Sequence, residues 1–513
     1  VNIAATLARS LTKYKSAKTL EFEGVMYPYE ELGRQIRAHA SVLRSLGVKA
    51  GDRVALSLPK GMDFIFLHLA VMSLDGVTLP LNPAYQPEEI VYFLTDSGAA
   101  FFFTDCEGYD RAEDMLGSVH GLTTVLVDAE PSRGALTLAH ARERADPDFT
   151  PPCSAHRDDV AVICYTSGTT GRSKGAMITH GNLVSNMLAL KQVWELNDGD
   201  VLLHVLPLFH VHGLFVALHG ALNAGARIVM HERFDPVRAW ETIEKERCTV
   251  LMGVPTIYQR LMNVWDGLDN KPDLSSVRVM ISGSSPLSEH QFHRFGQLTG
   301  LRLLERYGMT ETGMIASNTL DPRGRVPGSV GHPLPGVEIR IAGPDGTDVE
   351  PGEVGEVLVR GDNVFPGYWQ MPAKTEQSFI HGWLKTGDLG RQDPEDGDRL
   401  YLVGRAKELI ISGGLNVYPK EVENVLESHK TVSEAAVIGL PDDDLGERVI
   451  AVVVPSQYPG ASTEADLIRH CRQHLAAYKC PKEISFVREL PRNAMGKLQK
   501  NKITEDLQQQ SAK

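Results

Sequence analysis

Between residues 165 and 175 the chain reads Tyr165-Thr-Ser-Gly-Thr-Thr-Gly-Arg-Ser-Lys174-Gly175, with three glycines, several small hydroxyl side chains and two cations in one polar stretch. That composition suits a polyphosphate. Gly168, Gly171 and Gly175 let the backbone turn tightly and bring N–H groups to anionic oxygens. Thr166, Ser167, Thr169 and Thr170 add hydroxyl donors, and Lys174 adds charge. The apolar run Val160-Ala-Val-Ile-Cys-Tyr165 before it and the helix-like stretch from His180 after it predict a loop joining a strand to a helix. The spacing does not match G-x-x-x-x-G-K-[ST], so an ordinary P-loop is excluded.

Further stretches follow in order: Ser282-Gly-Ser-Ser-Pro286, Glu305-Arg-Tyr-Gly-Met-Thr-Glu311, Gly382-Trp-Leu-Lys-Thr-Gly-Asp388, Gly404-Arg-Ala-Lys-Glu408, Ile411-Ser-Gly-Gly-Leu-Asn-Val-Tyr-Pro419 and Pro491-Arg-Asn-Ala-Met-Gly-Lys497. With the first loop, this ordered set resembles the adenylate-forming superfamily of acyl-CoA synthetases, peptide-synthetase adenylation domains and luciferases. The resemblance covers nearly the whole chain. It implies an ATP-dependent acid:CoA ligase that passes through an enzyme-bound acyl-AMP, with ATP, Mg²⁺ and coenzyme A taking part.

Roles implied by the resemblance attach to individual positions. Thr166, Ser167, Gly168, Thr169, Thr170 and Lys174 hold the departing phosphates, Glu311 helps bind Mg²⁺, and Thr310 contacts the α-phosphate. Asp388 accepts the ribose hydroxyls, as an acceptor-only carboxylate suits a vicinal diol. Arg405 also contacts the ribose, Tyr307 stacks on adenine, and Gly283, Ser284 and Ser285 follow the base. Lys497 bridges carboxylate and α-phosphate, and Lys407 marks the hinge about which the C-terminal domain pivots. Gly413 and Gly414 line a narrow pantetheine tunnel in which a Cβ would intrude.

The acyl pocket carries its own clue. Arg306 stands immediately before Tyr307, and Arg260 follows Gly253-Val-Pro-Thr-Ile-Tyr258-Gln, two places that line this pocket in the family. Fatty and aryl acids call for apolar or small side chains there. A guanidinium pair instead matches a second carboxylate. Together with Leu206-Pro-Leu-Phe-His210-Val-His212-Gly213, in which His210 resembles the gate beside the acyl carboxylate, these residues resemble the malonyl-CoA synthetase branch. The expected substrate is malonate, with methylmalonate beside it. The alternatives are a medium-chain or aromatic acid, a carrier-protein phosphopantetheine as acceptor, and, from another class, a nucleotide-binding regulator without catalysis.

Positioning these residues takes at least two domains, because 513 residues exceed one compact core. Up to about residue 400, β-rich runs such as Val54–Leu58, Ala99–Phe103 and Val277–Ser282 alternate with helical stretches, which predicts α/β architecture with helix-covered parallel sheets. From Val337 shorter strands and turns predict a small β-rich subdomain, and beyond Gly404 an α+β pattern predicts a small mobile domain. The expected division is 1–403 and 404–513.

A net charge of −13 opposes non-specific nucleic-acid or anionic-membrane binding, so a polyanion must find its cations locally. Six scattered cysteines lack metal-ligand spacing and read as reduced thiols. Ile3, Leu7 and Leu11 fit a first helix. No apolar run reaches the roughly 18–20 residues of a membrane span. A cytoplasmic monomer or homodimer is expected, or an organelle-matrix protein if a leader was removed.

Overall fold

The computed structural model describes every residue except 1, 130–135, 144–145, 147–148, 167–171, 443, 457–461, 494–495 and 512–513, and the side chains of 510 and 511. Two large sheets and a smaller third organise the chain. The larger has 14 strands. In one half of it the strands Leu304–Met309, Val279–Ser282, Val250–Gly253, Val201–His204, Arg227–Met230 and Thr19–Phe22 run parallel. At Leu304–Met309 the sheet changes character: its other edge pairs antiparallel with Gly313–Ser317, and an antiparallel arm continues through Ser329–Pro333, Arg399–Arg405, Trp383–Asp393, Gly355–Gly361 and Val337–Ala342. The expected β-rich subdomain is therefore this arm, continuous with the parallel sheet. Its own core gathers Tyr307, Ile315, Val330, Ile341, Val357 and Leu400.

The second sheet has eight strands. Arg53–Ser57, Val77–Pro80, Phe101–Thr104, Thr123–Leu126 and Val160–Thr166 lie parallel. Beyond Asp63 in its first turn, the helix Met62–Ser73 carries apolar residues on all sides and is buried. Among the described residues no helix is long and apolar enough to cross a membrane.

One local expectation fails. Val160–Thr166 is followed first by an antiparallel strand, Lys174–Thr179, and only then by the helix His180–Val193. The phosphate-type segment is thus the connection of a hairpin. The sequence Lys174-Gly-Ala-Met-Ile-Thr179 is long enough to pair back along Val160–Thr166 before Thr179 caps the helix by accepting from Asn182 N at 3.1 Å.

The third sheet orders Leu415–Val417, Ile410–Ser412, Gly446–Pro455 and Val432–Asp442, with Glu483–Phe486 added to Gly446–Pro455. Its two faces build separate cores. One packs Val422, Leu426, Leu467 and Cys471, and the other packs Ala436, Ile438, Ile450 and Ile503. The last described helix, Lys500–Ser511, docks on that second face through Ile503.

Because these cores are internal to the third sheet, residues 404–513 produced alone are expected to show a cooperative unfolding transition by circular dichroism. A featureless melt would mean that the division at 403/404 cuts through one folding unit.

Candidate active site

The strand Leu304–Met309 positions the site through its period of two, which sends Arg306 to the face opposite Glu305 and Tyr307. On one face the Tyr307 hydroxyl donates to Asp388 Oδ2 at 2.5 Å, and Arg405 Nε lies 3.1 Å from Asp388 Oδ1. Asp388 and Arg405 are cross-strand partners in the antiparallel arm, which explains how residues 17 apart in sequence meet. Each Asp388 oxygen keeps lone-pair capacity for a further hydroxyl. Burial, and then the neighbouring Asp388 charge, push the Tyr307 phenol well above its ordinary range.

Glu311 is buried and accepts from the Tyr368 hydroxyl at 2.9 Å. Lys174 Nζ stands 4.7 Å from the centre of the same Tyr368 ring, which brings the far end of the hairpin to this carboxylate. Partial burial and Lys374 lower the Lys174 pKa, while Glu311 opposes the shift. Thr310 lies next to Glu311 and is half-buried. Thr166 lies at the start of the segment, its hydroxyl 3.4 Å from Lys174 O. Ser167, Gly168, Thr169 and Thr170 lie outside the described residues. Tyr368 escaped the sequence reading; the only signal was the aromatic cluster Phe365-Pro-Gly-Tyr-Trp369.

On the other face Arg306 is only 3% exposed. Its Nη2 reaches Ser284 Oγ at 3.4 Å, its Nε has no hydrogen-bond partner, and a Cβ on Gly283 would lie 2.4 Å from its Cζ. Gly283 is therefore a spacer for the guanidinium as well as a turn residue. Ser284 adopts φ +70°, a left-handed conformation costing about 1–2 kcal/mol in a non-glycine residue. Its hydroxyl sits 3.2 Å from His212 Nδ1, and the buried Ser285 Oγ is unpartnered. Burial lowers the Arg306 pKa to about 9.

His210 lies just before a π-helix, His212–His219, a rare turn type frequent at functional sites. Burial, Arg306 and Lys497 depress the His210 pKa to about 4, so the ring is neutral at pH 7. Its Nδ1 accepts from His212 N at 3.3 Å, which leaves Nε2 as the protonated nitrogen. The second expected arginine behaves differently. Arg260 is exposed on the helix Pro255–Trp265, whereas Arg306 is buried.

The third sheet delivers Lys497. Asn493 N donates to Lys497 O at 2.9 Å and Lys497 N to Asn493 Oδ1 at 3.0 Å, closing a turn. Gly496, at φ +73°, rests against the N-terminal region: a Cβ there would meet Thr256 Oγ1 at 2.8 Å. Thr256 lies in the Gly253–Tyr258 stretch, but nothing in the sequence pairs it with Gly496. Lys497 is solvent-accessible at the mouth of a crowded cleft, where reduced hydration and Arg405 lower its pKa to about 8 against the pull of Asp388 and Glu408. Lys407 is exposed in the short turn Ala406–Glu408 between two strands. Gly413 and Gly414 form a hairpin tip at φ +59° and +76°. In this orientation a Cβ on Gly414 would meet nothing, so the positive φ, not crowding, requires glycine.

Asp388 with Tyr307 and Arg405, Lys174 and Glu311 about Tyr368, and Lys497 from the third sheet are the charged and polar groups the motifs contribute to this region. Comparison with known proteins gives the family. The AMP-binding enzyme family matches residues 7–369, and the AMP-binding enzyme C-terminal domain matches residues 421–497. The chain belongs to this family, the adenylate-forming enzymes, and is an AMP-forming acid–thiol ligase. The ATP-bound MatB of Rhodopseudomonas palustris superposes with a TM-score of 0.90 at 40% identity, covering 99% of both chains. A mitochondrial malonate–CoA ligase of Mus musculus is 35% identical, covering 94% of this chain and 87% of its own. A feruloyl-CoA synthase of Amycolatopsis sp. is 36% identical over 95% of each chain.

Replacing Gly496 by alanine is expected to slow adenylate formation at least about tenfold, since the change adds strain at positive φ and a clash with Thr256. Thioester formation from supplied acyl-AMP should stay within about twofold; equal loss of both half-reactions would contradict the docking role. Because a lysine pKa depressed to about 8 leaves the ammonium charged only below that pH, kcat/KM for adenylation in the free enzyme should fall as pH rises through about 8. Lys497→Arg should remove that limb; its persistence would assign the titration elsewhere.

Proposed function

We propose that this acid:CoA ligase takes a small dicarboxylic acid, malonate first and methylmalonate beside it. The observation that supports the reading is Arg306, a buried guanidinium with no ion pair among the described residues and an unpartnered Nε. Identity does not choose the acid, because a malonate ligase and a feruloyl-CoA synthase match equally well. The pocket must decide. A buried charge without a counter-charge costs several kcal/mol, and a second carboxylate on the substrate offsets that cost. A monocarboxylate leaves it in place. Arg260, exposed in this orientation, is assigned to the rim of the same pocket.

In the first half-reaction the reacting carboxylate is held by the His210 Nε2–H, a neutral donor that orients the anion without neutralising its nucleophilicity. A carboxylate oxygen attacks the α-phosphorus, the bond to the β-phosphate oxygen breaks, and pyrophosphate leaves toward Lys174 and the hairpin connection. Lys497 bridges the carboxylate and the α-phosphate, where negative charge must be brought together, and Thr310 contacts the same phosphate. Positioning and charge stabilisation supply the acceleration. Asp388 and Arg405 hold the ribose, and Tyr307, Gly283, Ser284 and Ser285 hold the base.

Glu311, a buried carboxylate beside Lys174 and Tyr368, would be the protein group that helps hold a Mg²⁺ arriving with ATP. When bound, the ion neutralises charge on the phosphates. In the second half-reaction the C-terminal domain pivots at Lys407, and Gly413 and Gly414 give the pantetheine arm passage. The thiol loses its proton and attacks the acyl carbonyl, and AMP leaves.

The test is CoA- and ATP-dependent AMP release across malonate, methylmalonate, acetate, butyrate, octanoate and benzoate. Malonate should be preferred over acetate and butyrate by about two orders of magnitude in kcat/KM, and Arg306→Ala should abolish most of that ratio. A preference for octanoate or benzoate, or an unchanged profile in the variant, would discard the dicarboxylate reading and leave the ligase intact.

A further inference from the structure

The hairpin that carries Lys174 is gripped at both ends by one helix, Pro87–Ser97, which belongs to none of the motifs. Entering the hairpin connection, Tyr165 donates its hydroxyl to Asp96 Oδ2 at 2.7 Å and packs its ring on Phe93, centroids 4.5 Å apart. Leaving it, Ser173 accepts through its carbonyl from the Tyr92 hydroxyl at 2.8 Å, and the Arg172 guanidinium lies 5.4 Å over the Tyr92 ring. Tyr92 and Asp96 stand four apart, on one helix face, so a rigid element spans the two flanks of the connection. Trp369 closes the arrangement: its Nε1 donates to Asp96 O at 3.2 Å and its backbone N to Gly175 O at 2.7 Å.

Two features of this grip run against local stability. Asp96 lies in the last turn of its helix, which has no basic residue there, so its charge faces the negative end of the helix dipole. Gly175 leaves no room for a side chain, because a Cβ would approach Ile163 Cγ2 to 2.8 Å and Trp369 Cβ to 3.4 Å. A surface hairpin of ordinary purpose needs neither. Both make sense if the flanks must be fixed so that Lys174 stands over Tyr368 beside Glu311.

We propose that Tyr92, Asp96 and Tyr165 are positioning residues that hold the two hairpin strands so that Lys174 stays in register with Tyr368 and Glu311, and so set the affinity for the triphosphate independently of the acid. This rests on the ligase reading. The grip acts on the nucleotide because Thr166 and Lys174 are cross-strand partners immediately inside Tyr165 and Gly175. A register change at the flanks would displace the lysine from the Tyr368 ring.

The experiment is ATP–pyrophosphate exchange with the full chain and its preferred acid, using Tyr92→Phe, Tyr165→Phe and the double variant. Each single change removes one hydroxyl and keeps the ring. The expected result is a KM for MgATP raised about threefold or more in each single variant and at least tenfold in the double variant. KM for the acid, and thioester formation from supplied acyl-AMP, should stay within twofold. A KM for MgATP unchanged in both single variants, or an acid KM that rises in step with it, overturns the proposal as a merely structural effect. Should the double variant not fold, the single variants decide. Absence of exchange in the unmodified chain across all acids tried, despite measurable ATP binding, would instead defeat the ligase reading beneath it.

Discussion

One strand does two jobs because its side chains alternate. Leu304–Met309 is paired parallel on one edge and antiparallel on the other, and its period of two separates Arg306 from Tyr307. Tyr307 thereby joins Asp388 and Arg405 on one face, the proposed nucleotide side, while Arg306 turns to the other, the proposed acyl side, against Gly283 and Ser284. A one-residue slip would exchange the two pockets. The bulge between Tyr307 and Gly308 shifts the pairing just before Thr310 and Glu311, where the chain turns into Gly313–Ser317.

The electrostatics follow from that geometry. Positive groups converge from separate elements: Lys174 from the second sheet, Arg306 and Arg405 from the first, and Lys497 from the third. Arg405 is paired with Asp388, whereas Lys174, Arg306 and Lys497 all have lowered pKa values, with loss of hydration the first cause in each. Glu305, on the face away from Arg306, accepts from Leu287 N at 2.9 Å, and burial raises its pKa to about 7. A chain of net charge −13 thus gathers cations about the proposed site. Such a site lowers stability in exchange for function.

Much of this was legible in the sequence because each motif is a short contiguous run whose residue types state their chemistry. The strand Val160–Thr166, the helix at His180 and the separate pattern beyond Gly404 were all signalled locally. Contacts made only by tertiary packing were not. Nothing in the sequence sets Tyr368 against Glu311, Thr256 under Gly496, or Tyr92 and Asp96 at the ends of the hairpin, since these partners are far apart in the chain. The antiparallel return Lys174–Thr179 was hidden because a short mixed run next to a helix cap has no strong period of its own. Arg260 stands in the right motif, but its place on an exposed helix face depends on helix rotation, which spacing alone does not fix.

The central claim is that the buried Arg306 charge reads a second carboxylate. It is tested most directly by titrating two non-hydrolysable adenylate analogues that differ only in that charge, one carrying the malonyl group and one its methyl ester, into the unmodified chain and into Arg306→Met. The charged analogue should bind about 100-fold more tightly to the unmodified chain, and that difference should vanish in the variant. Binding within about threefold in the unmodified chain, or a difference that survives in Arg306→Met, would show that the guanidinium serves the fold and that acid selection lies elsewhere.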